Sequence, residues 1–522
     1  MEEVQGGNPS EIEELGISTA KSSGMFVSGK VVGAVLSLAM LIFLARVLGP
    51  QYFGFYTLVI SFSMFLGLGG NFGIATALRK LLPEDKDKAK QGEAIGTGYA
   101  ITALVSAAIA IAGILLSGII SQYAYHNSAI TMPMEIASIT VLLSVLVNMG
   151  ISAVLAIGRS RRSTNVVITY SSLEFVFTVL LVELGYGVLG AMLGIAAGLL
   201  IGAMLAFYYI ASEVGLSALK ATKAMARKLT RFSIPLVVSN VAQVGIVNFG
   251  ILLLGVFVAA NIVGNFGTAF KLGRFVELLL TSSTFVLLPA FSRAIGSEGM
   301  SKRMSSIYNN SIYYAALILA PVIAYLSATS IPLIRLLFSK AYPIAPMYFS
   351  FIAIGTAIGL LGSYAGTLII GYGDTRKFMK YQIIGVVVEL ALLLALTPFI
   401  GAFGVLIAMF AVAPVLLDIL YSIALKGQFS LSLDYSKALK AAIAALIPGL
   451  LILGIGYVLH FRLLTILVNF IVIAALYPPI LAYIRGISRH NLDFIARVGR
   501  GHSALGRLIG MAVAYTGIFV KE

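Results

Sequence analysis

Long apolar runs dominate the chain. Val31 to Ala45, Ala100 to Ser117, Leu189 to Ile210 and Ile466 to Leu476 contain no charged side chain. None alternates with a period of two, so each reads as a helix that is hydrophobic all round rather than a barrel strand. With short flanks each run reaches the roughly 20 residues that a helix needs to cross about 30 Å of hydrocarbon. Lipid offers backbone N–H and C=O groups no partners, so such segments must satisfy them internally, as helices do. The pattern predicts fourteen spans, beginning near Met25, Phe55, Ala94, Met134, Val166, Leu189, Phe232, Asn265, Ser311, Tyr348, Tyr381, Phe403, Leu439 and Leu463. Composition agrees: 59% of the 522 residues are hydrophobic and 11% are charged. The predicted fold class is an all-α polytopic membrane protein.

Charge is placed unevenly. The net charge of +15 would suggest nucleic acid as a partner in a soluble protein. Here it concentrates in alternate connections, at Lys86, Lys88 and Lys90, at Arg159, Arg161 and Arg162, at Lys220, Lys223, Arg227 and Lys228, and at Arg376, Lys377 and Lys380. The opposite connections hold only Arg46, Arg335, Lys340 and Arg462. This is the positive-inside pattern; it puts both termini in the cytosol and removes the argument for nucleic acid. Glu2, Glu3, Glu11, Glu13 and Glu14 place acid where a secretory signal carries base, so no cleaved leader is expected. The sequence has no cysteine, and His126, His460, His490 and His502 lie far apart without ligand spacing. No phosphate-binding loop or catalytic triad can be assembled. The expectation is a protein that is not an enzyme and uses neither metal nor cofactor.

The chain also repeats itself. Ile157-Gly158, Arg159 to Arg162 and a span ending at Gly187-Val-Leu-Gly190 parallel Ile370-Gly371, Arg376-Lys377 and a span ending at Gly401-Ala-Phe-Gly404. Two six-helix bundles in the same orientation follow from this repeat. The organisation expected is an acidic cytosolic tail (1–23), a first bundle (24–212), a basic linker (213–231) and a second bundle (232–425). A cytosolic loop with two further spans (426–485) and a basic tail (486–522) complete it. Within that tail, Leu508 to Val520 is too short to span and suits the membrane surface.

The first hairpin is more specific. Phe43-Leu-Ala-Arg46-Val-Leu-Gly49-Pro50-Gln51-Tyr52-Phe53-Gly54-Phe55-Tyr56 resembles the opening of the polysaccharide flippase family, part of the multidrug/oligosaccharidyl-lipid/polysaccharide exporter superfamily. Gly69-Gly70-Asn71-Phe72-Gly73, Leu333 to Phe338 with Tyr342 and Ala345, and the loop Gly371-Tyr-Gly373-Asp374-Thr375-Arg376-Lys377 fit the same family. The resemblance implies two bundles in a V that open alternately to either side, around a cavity lined mainly by the first two helices of each half. It implies a cargo of oligosaccharide on a polyprenyl phosphate or pyrophosphate, moved across the cytoplasmic membrane for polysaccharide or glycoconjugate synthesis. Glycan-assembly enzymes would be the natural partners. The alternatives are a multidrug or organic-cation antiporter of the same fold, which would need an acidic cavity, and an integral-membrane sugar polymerase, which short outer loops disfavour.

Ionisable groups inside spans are costly, about 2.5–3.5 kcal/mol each on insertion scales, so they tend to face protein or water. Lys271, Arg274, Glu277, Thr281 and Thr284 recur at steps of three or four and form one polar stripe. Lys271, Arg274 and Lys30 are the candidates for a lipid phosphate, and Asn71, Asn240 and Gln243 for sugar hydroxyls. Each has a structural alternative: Lys30 and Lys271 can snorkel, Arg274 and Glu277 can pair, and the amides can bond between helices. Glu174 and Glu389, at related positions of the repeat, join Glu277 as candidates for coupling transport to an ion.

Overall fold

The computed structural model describes residues 9–70, 73–84, 87–281, 300–429, 431–458, 462–499 and 504–520. No strand occurs among them. Backbone contacts divide the chain into two units, Met1–Gly264 and Asn265–Glu522. Ten helical stretches of the described residues are long and apolar enough to cross a membrane. Two of these are far longer than one crossing: Gly24–Gly70 with 47 residues and Ser160–Val214 with 55. At 1.5 Å per residue they would reach roughly 70 and 80 Å as straight rods, so each must bend within the chain.

Glycines supply the bends. In the first unit, α1 (Pro9–Gly70) breaks at Gly49, whose φ of 67° and ψ of 175° lie outside the range of an L side chain, and Pro50 starts the second arm. Helix α2 spans Ile74–Leu81, α3 Lys88–Ile119 and α4 Thr131–Ala156. Helices α5 (Ser160–Leu181) and α6 (Gly187–Val214) turn at Gly185 (φ 89°) and Gly187 (φ 53°, ψ −130°). Helices α7 (Lys223–Phe257) and α8 (Ala260–Thr281) follow. The spans expected near Phe232 and Asn265 fall on these two.

The linker at 213–231 is packed rather than free. A Cβ on Gly92 of α3 would lie 2.7 Å from the Ala218 carbonyl oxygen, and one on Gly96 would lie 2.8 Å from the Leu219 carbonyl carbon. The missing side chains let the linker lie against α3, and Thr222 donates to Glu93 at 2.5 Å. Thr222 also accepts the Met225 amide, closing the start of α7. Contacts of α7 with α1, α2 and α3 place the unit boundary at Gly264, beyond the linker.

The second unit continues through α9 (Met300–Ala328), α10 (Ser330–Leu337), α11 (Ala345–Gly371) and α12 (Thr375–Ile400). Helix α13 (Ala402–Leu406) joins α14 (Ala413–Phe429) through a π-helical turn, Ile407–Val412. Helices α15 (Ser436–Val458), α16 (Arg462–Tyr483), α17 (Arg489–Gly499) and α18 (Ala504–Gly517) complete the chain. Gly401 precedes α13 with φ 55° and ψ −127°, nearly the conformation of Gly187, 214 positions earlier. Gly158 and Gly373, at the turns before α5 and α12, also share positive φ. At these two pairs of turns, glycines in the two halves of the sequence repeat share positive φ.

The tail beyond Arg485 packs against its own unit. Phe494 stacks on Tyr314 of α9 with centroids 4.9 Å apart, and the Tyr515 hydroxyl donates to the Ala475 carbonyl of α16 at 2.9 Å. Before α15, outside the spans, Asp434 accepts the hydroxyl and amide of Ser436 at 2.6 and 2.9 Å. These bonds hold its carboxyl below the usual carboxylate range, so the cap persists above that range and loosens as pH falls through the lowered value.

Candidate functional site

Of the polar stripe in the sequence, Lys271, Arg274 and Glu277 are described with their side chains on α8. Arg274 meets the Glu277 carboxylate at 2.6 Å, the i,i+3 geometry of one helix face, with 58% and 33% of the two side chains exposed. Lys271, one turn earlier, is half-buried. Opposite the stripe, Gly273 accommodates Ile352 of α11, whose Cγ2 would stand 2.5 Å from a Cβ. The helix is seated at its start by Asn265, which is buried and accepts the amides of Ile344 and Ala345 at 3.1 and 3.0 Å. The two bonds satisfy the free donors at the start of α11 and hold α8 against it. One face of α8 is thus packed and the other presents charge.

Lys30 stands beside a packing seam of the first unit. A Cβ on Gly29 would lie 2.7 Å from Thr164 Cγ2, and one on Gly33 would lie 3.3 Å from Ser171 Oγ, so these glycines bring α1 against α5. Lys30 is exposed at the edge of that seam, its Nζ 5.0 Å from the centre of the Phe26 ring. Glu174 lies further along α5, where Gly198 of α6 comes close to its backbone and Tyr56 and Tyr170 lie within electrostatic reach. Glu389 is half-buried on α12. Asn71 and Thr284 lie outside the described residues; Asn240, Gln243 and Thr281 lie on described helices, their side chains outside the description.

Each unit also holds a cavity that periodicity did not predict. In the first, Gln51, Phe55, Tyr125, His126 and Asn261 help to line about 420 Å³ beside the Gly49 bend. In the second, a cavity of about 360 Å³ has Asp418 in its wall. Asp418 interrupts the apolar run Val415-Leu416-Leu417-Asp418-Ile419, a signal the sequence did carry.

Residues 43–345 match the family described as "Polysaccharide biosynthesis protein". No curated protein matches by sequence. Among solved structures, a lipid II flippase, MurJ, in an inward closed conformation superimposes with a TM-score of 0.71 at 16% identity, covering 88% of this chain and 99% of its own. An inward-facing multidrug resistance MATE transporter of the MOP superfamily gives 0.58 at 16% identity, covering 76% and 94%. A MOP superfamily transporter from Pyrococcus furiosus gives 0.50 at 17% identity, covering 78% and 94%. Likeness at such identities establishes the fold, and the family match covers more than half of the chain. The chain belongs to the polysaccharide biosynthesis protein family and has the fold shared by the MOP-superfamily transporters and the lipid II flippase.

Proposed function

We propose that this protein flips an oligosaccharide linked to a polyprenyl phosphate or pyrophosphate across the cytoplasmic membrane by alternating access. The observation that carries the reading is exposed Arg274, with half-buried Lys271 one turn before it on α8, in a chain of this family and fold. Arg274 grips phosphate oxygens through its planar fork and Lys271 supplies a compact charge. Glu277 keeps the guanidinium paired between cargoes, and an arriving anion competes with it. Lys30 contributes a third cation from the first unit, while Asn71, Asn240 and Gln243 meet the sugar. An extruder of organic cations has the opposite requirement, an acid at the cargo.

The test is reconstitution into liposomes with a fluorescent lipid-linked oligosaccharide, reading its exposure in the outer leaflet with and without the protein. Exposure equal to that of empty liposomes would refute the proposal. Coupling falls to Glu174 and Glu389. Either exchanged for Gln should slow flipping under an imposed ion gradient while leaving equilibration without a gradient intact. Normal gradient response in both variants would remove them from that role.

The proposed orientation has both termini and the basic connections in the cytosol. With no native cysteine in the way, Lys88→Cys and Lys223→Cys should resist an impermeant thiol reagent in intact cells. Ser128→Cys, exposed at the turn after Asn127, should react. The reverse pattern would invert the direction of transport.

A further inference from the structure

Asp418 sits on α14 where the helix crosses α11. A Cβ at Gly362 would overlap its Oδ1, so only glycine leaves room for the carboxyl there. Among the described residues that oxygen, which is buried, has no hydrogen-bond partner, and neither has the buried hydroxyl of Tyr421, one turn further on. Two orphaned polar atoms so close together in a helical core are rare, because each forgoes the bonds it makes in water.

Hydroxyls lead outward from this point. Buried Tyr308 of α9 lies within electrostatic reach of Asp418 and shares a hydrogen bond of 3.1 Å with the hydroxyl of Tyr435. Tyr435 in turn shares one of 3.0 Å with Ser422. Tyr435 is 39% exposed, just before α15. Tyr308, Asp418, Ser422 and Tyr435 line one cavity, with exposed Lys426 also in its wall.

Among the described residues, the titratable groups facing Asp418 are few. They are Tyr308 from α9, Tyr435 from the loop before α15, and Tyr421 and Lys426 on its own helix; α12 adds Tyr381 against Tyr421. The elements closest to it, α11 and the rest of α14, contribute Gly362, Ala365, Val415 and Ile419. Lys426 is two turns away, about 12 Å along the helix. No cation of the described residues forms a salt bridge with Asp418. An ionised carboxylate here would have one oxygen buried and no counter-ion in a salt bridge among the described residues, and neutralisation by one small cation relieves it. Hard metal cations such as calcium and magnesium take about six oxygens, whereas this wall is mostly aliphatic. A proton needs one.

We propose that Asp418 is a proton-binding site of the second unit, exchanging with water through the hydroxyls of Tyr308, Tyr435 and Ser422. The site is separate from the α8 stripe and does not depend on the identity of the cargo. Its test needs no cargo: infrared difference spectra of the protein in lipid vesicles, recorded between acidic and alkaline buffer. A carbonyl band of a protonated carboxyl should appear, move with isotope-labelled aspartate and vanish in Asp418→Asn. Tyr435→Phe should retain the band but slow its appearance after a pH jump. Should Asp418→Asn fail to insert, Gly362→Ala keeps the carboxyl and displaces it, so the band should shift in frequency or midpoint. A band that persists in Asp418→Asn, one unmoved by Gly362→Ala, or one that follows sodium at constant pH would overturn the assignment.

Discussion

Gly54→Ala and Gly264→Ala proteins will each lose the folded first unit, read as a collapse of the monodisperse peak and a large drop in thermal midpoint. The two glycines sit in a reciprocal crossing of α1 and α8. A Cβ on Gly54 would overlap the Ala260 carbonyl oxygen, and one on Gly264 would overlap the Pro50 carbonyl oxygen. Both obstacles are backbone, so no rotamer change relieves the clash. Overpacking ordinarily costs about 1–3 kcal/mol where side chains can adjust, and with helix axes as the moving parts the upper end is the expectation. The neighbours leave little room to shift, since Phe53 and Tyr56 are buried to within 4% of complete. Gly24→Ala, with open space around it, is the control and should match the native protein. A native thermal midpoint in Gly54→Ala would show that the crossing is looser than described.

The Lys271→Ala/Arg274→Ala double variant will flip a fluorescent lipid-linked oligosaccharide at least about tenfold more slowly while remaining folded. Hydrogen bonds to charged groups contribute about 1.5–3 kcal/mol each, and 1.4 kcal/mol corresponds to a factor of ten. Stability bounds the competing explanation. The Arg274–Glu277 pair is more than half exposed on the arginine side, and exposed pairs are worth roughly 0–1 kcal/mol. Losing the bridge alone leaves the bundle standing, so a large transport defect in folded protein reports on cargo. Arg274→Lys should retain more activity than Arg274→Ala, because charge survives although the fork does not. Glu277→Gln, which frees the guanidinium from its competitor, should raise apparent affinity for the lipid headgroup. Native flipping by the double variant would leave the stripe with a structural role only.

Family and fold were legible in the sequence through residues that now have physical roles. In the opening motif, Gly49 is the bend, Pro50 starts the second arm and Gly54 permits the crossing with α8. The polar stripe was legible for the same reason: neighbours at three and four residues on a helix share a face wherever the helix is placed. The repeat was visible because positive φ demands glycine, so Gly187 and Gly401 mark equivalent turns in both halves.

By itself, then, the sequence determined what depends on local backbone and on solvent: which segments are apolar, which helix face is polar, where the chain bends and which connections are basic. Only the tertiary structure decided which helix each face meets. It packed Gly29 and Gly33, beside Lys30, against Thr164 and Ser171, and it closed the 213–231 linker onto α3 through Gly92 and Gly96. It also left Asp418 Oδ1 against Gly362 with no hydrogen-bond partner among the described residues. An apolar helix in lipid presents no polar face to mark its neighbour, so pairing rests on small residues and shape, which show only when two helices are brought together.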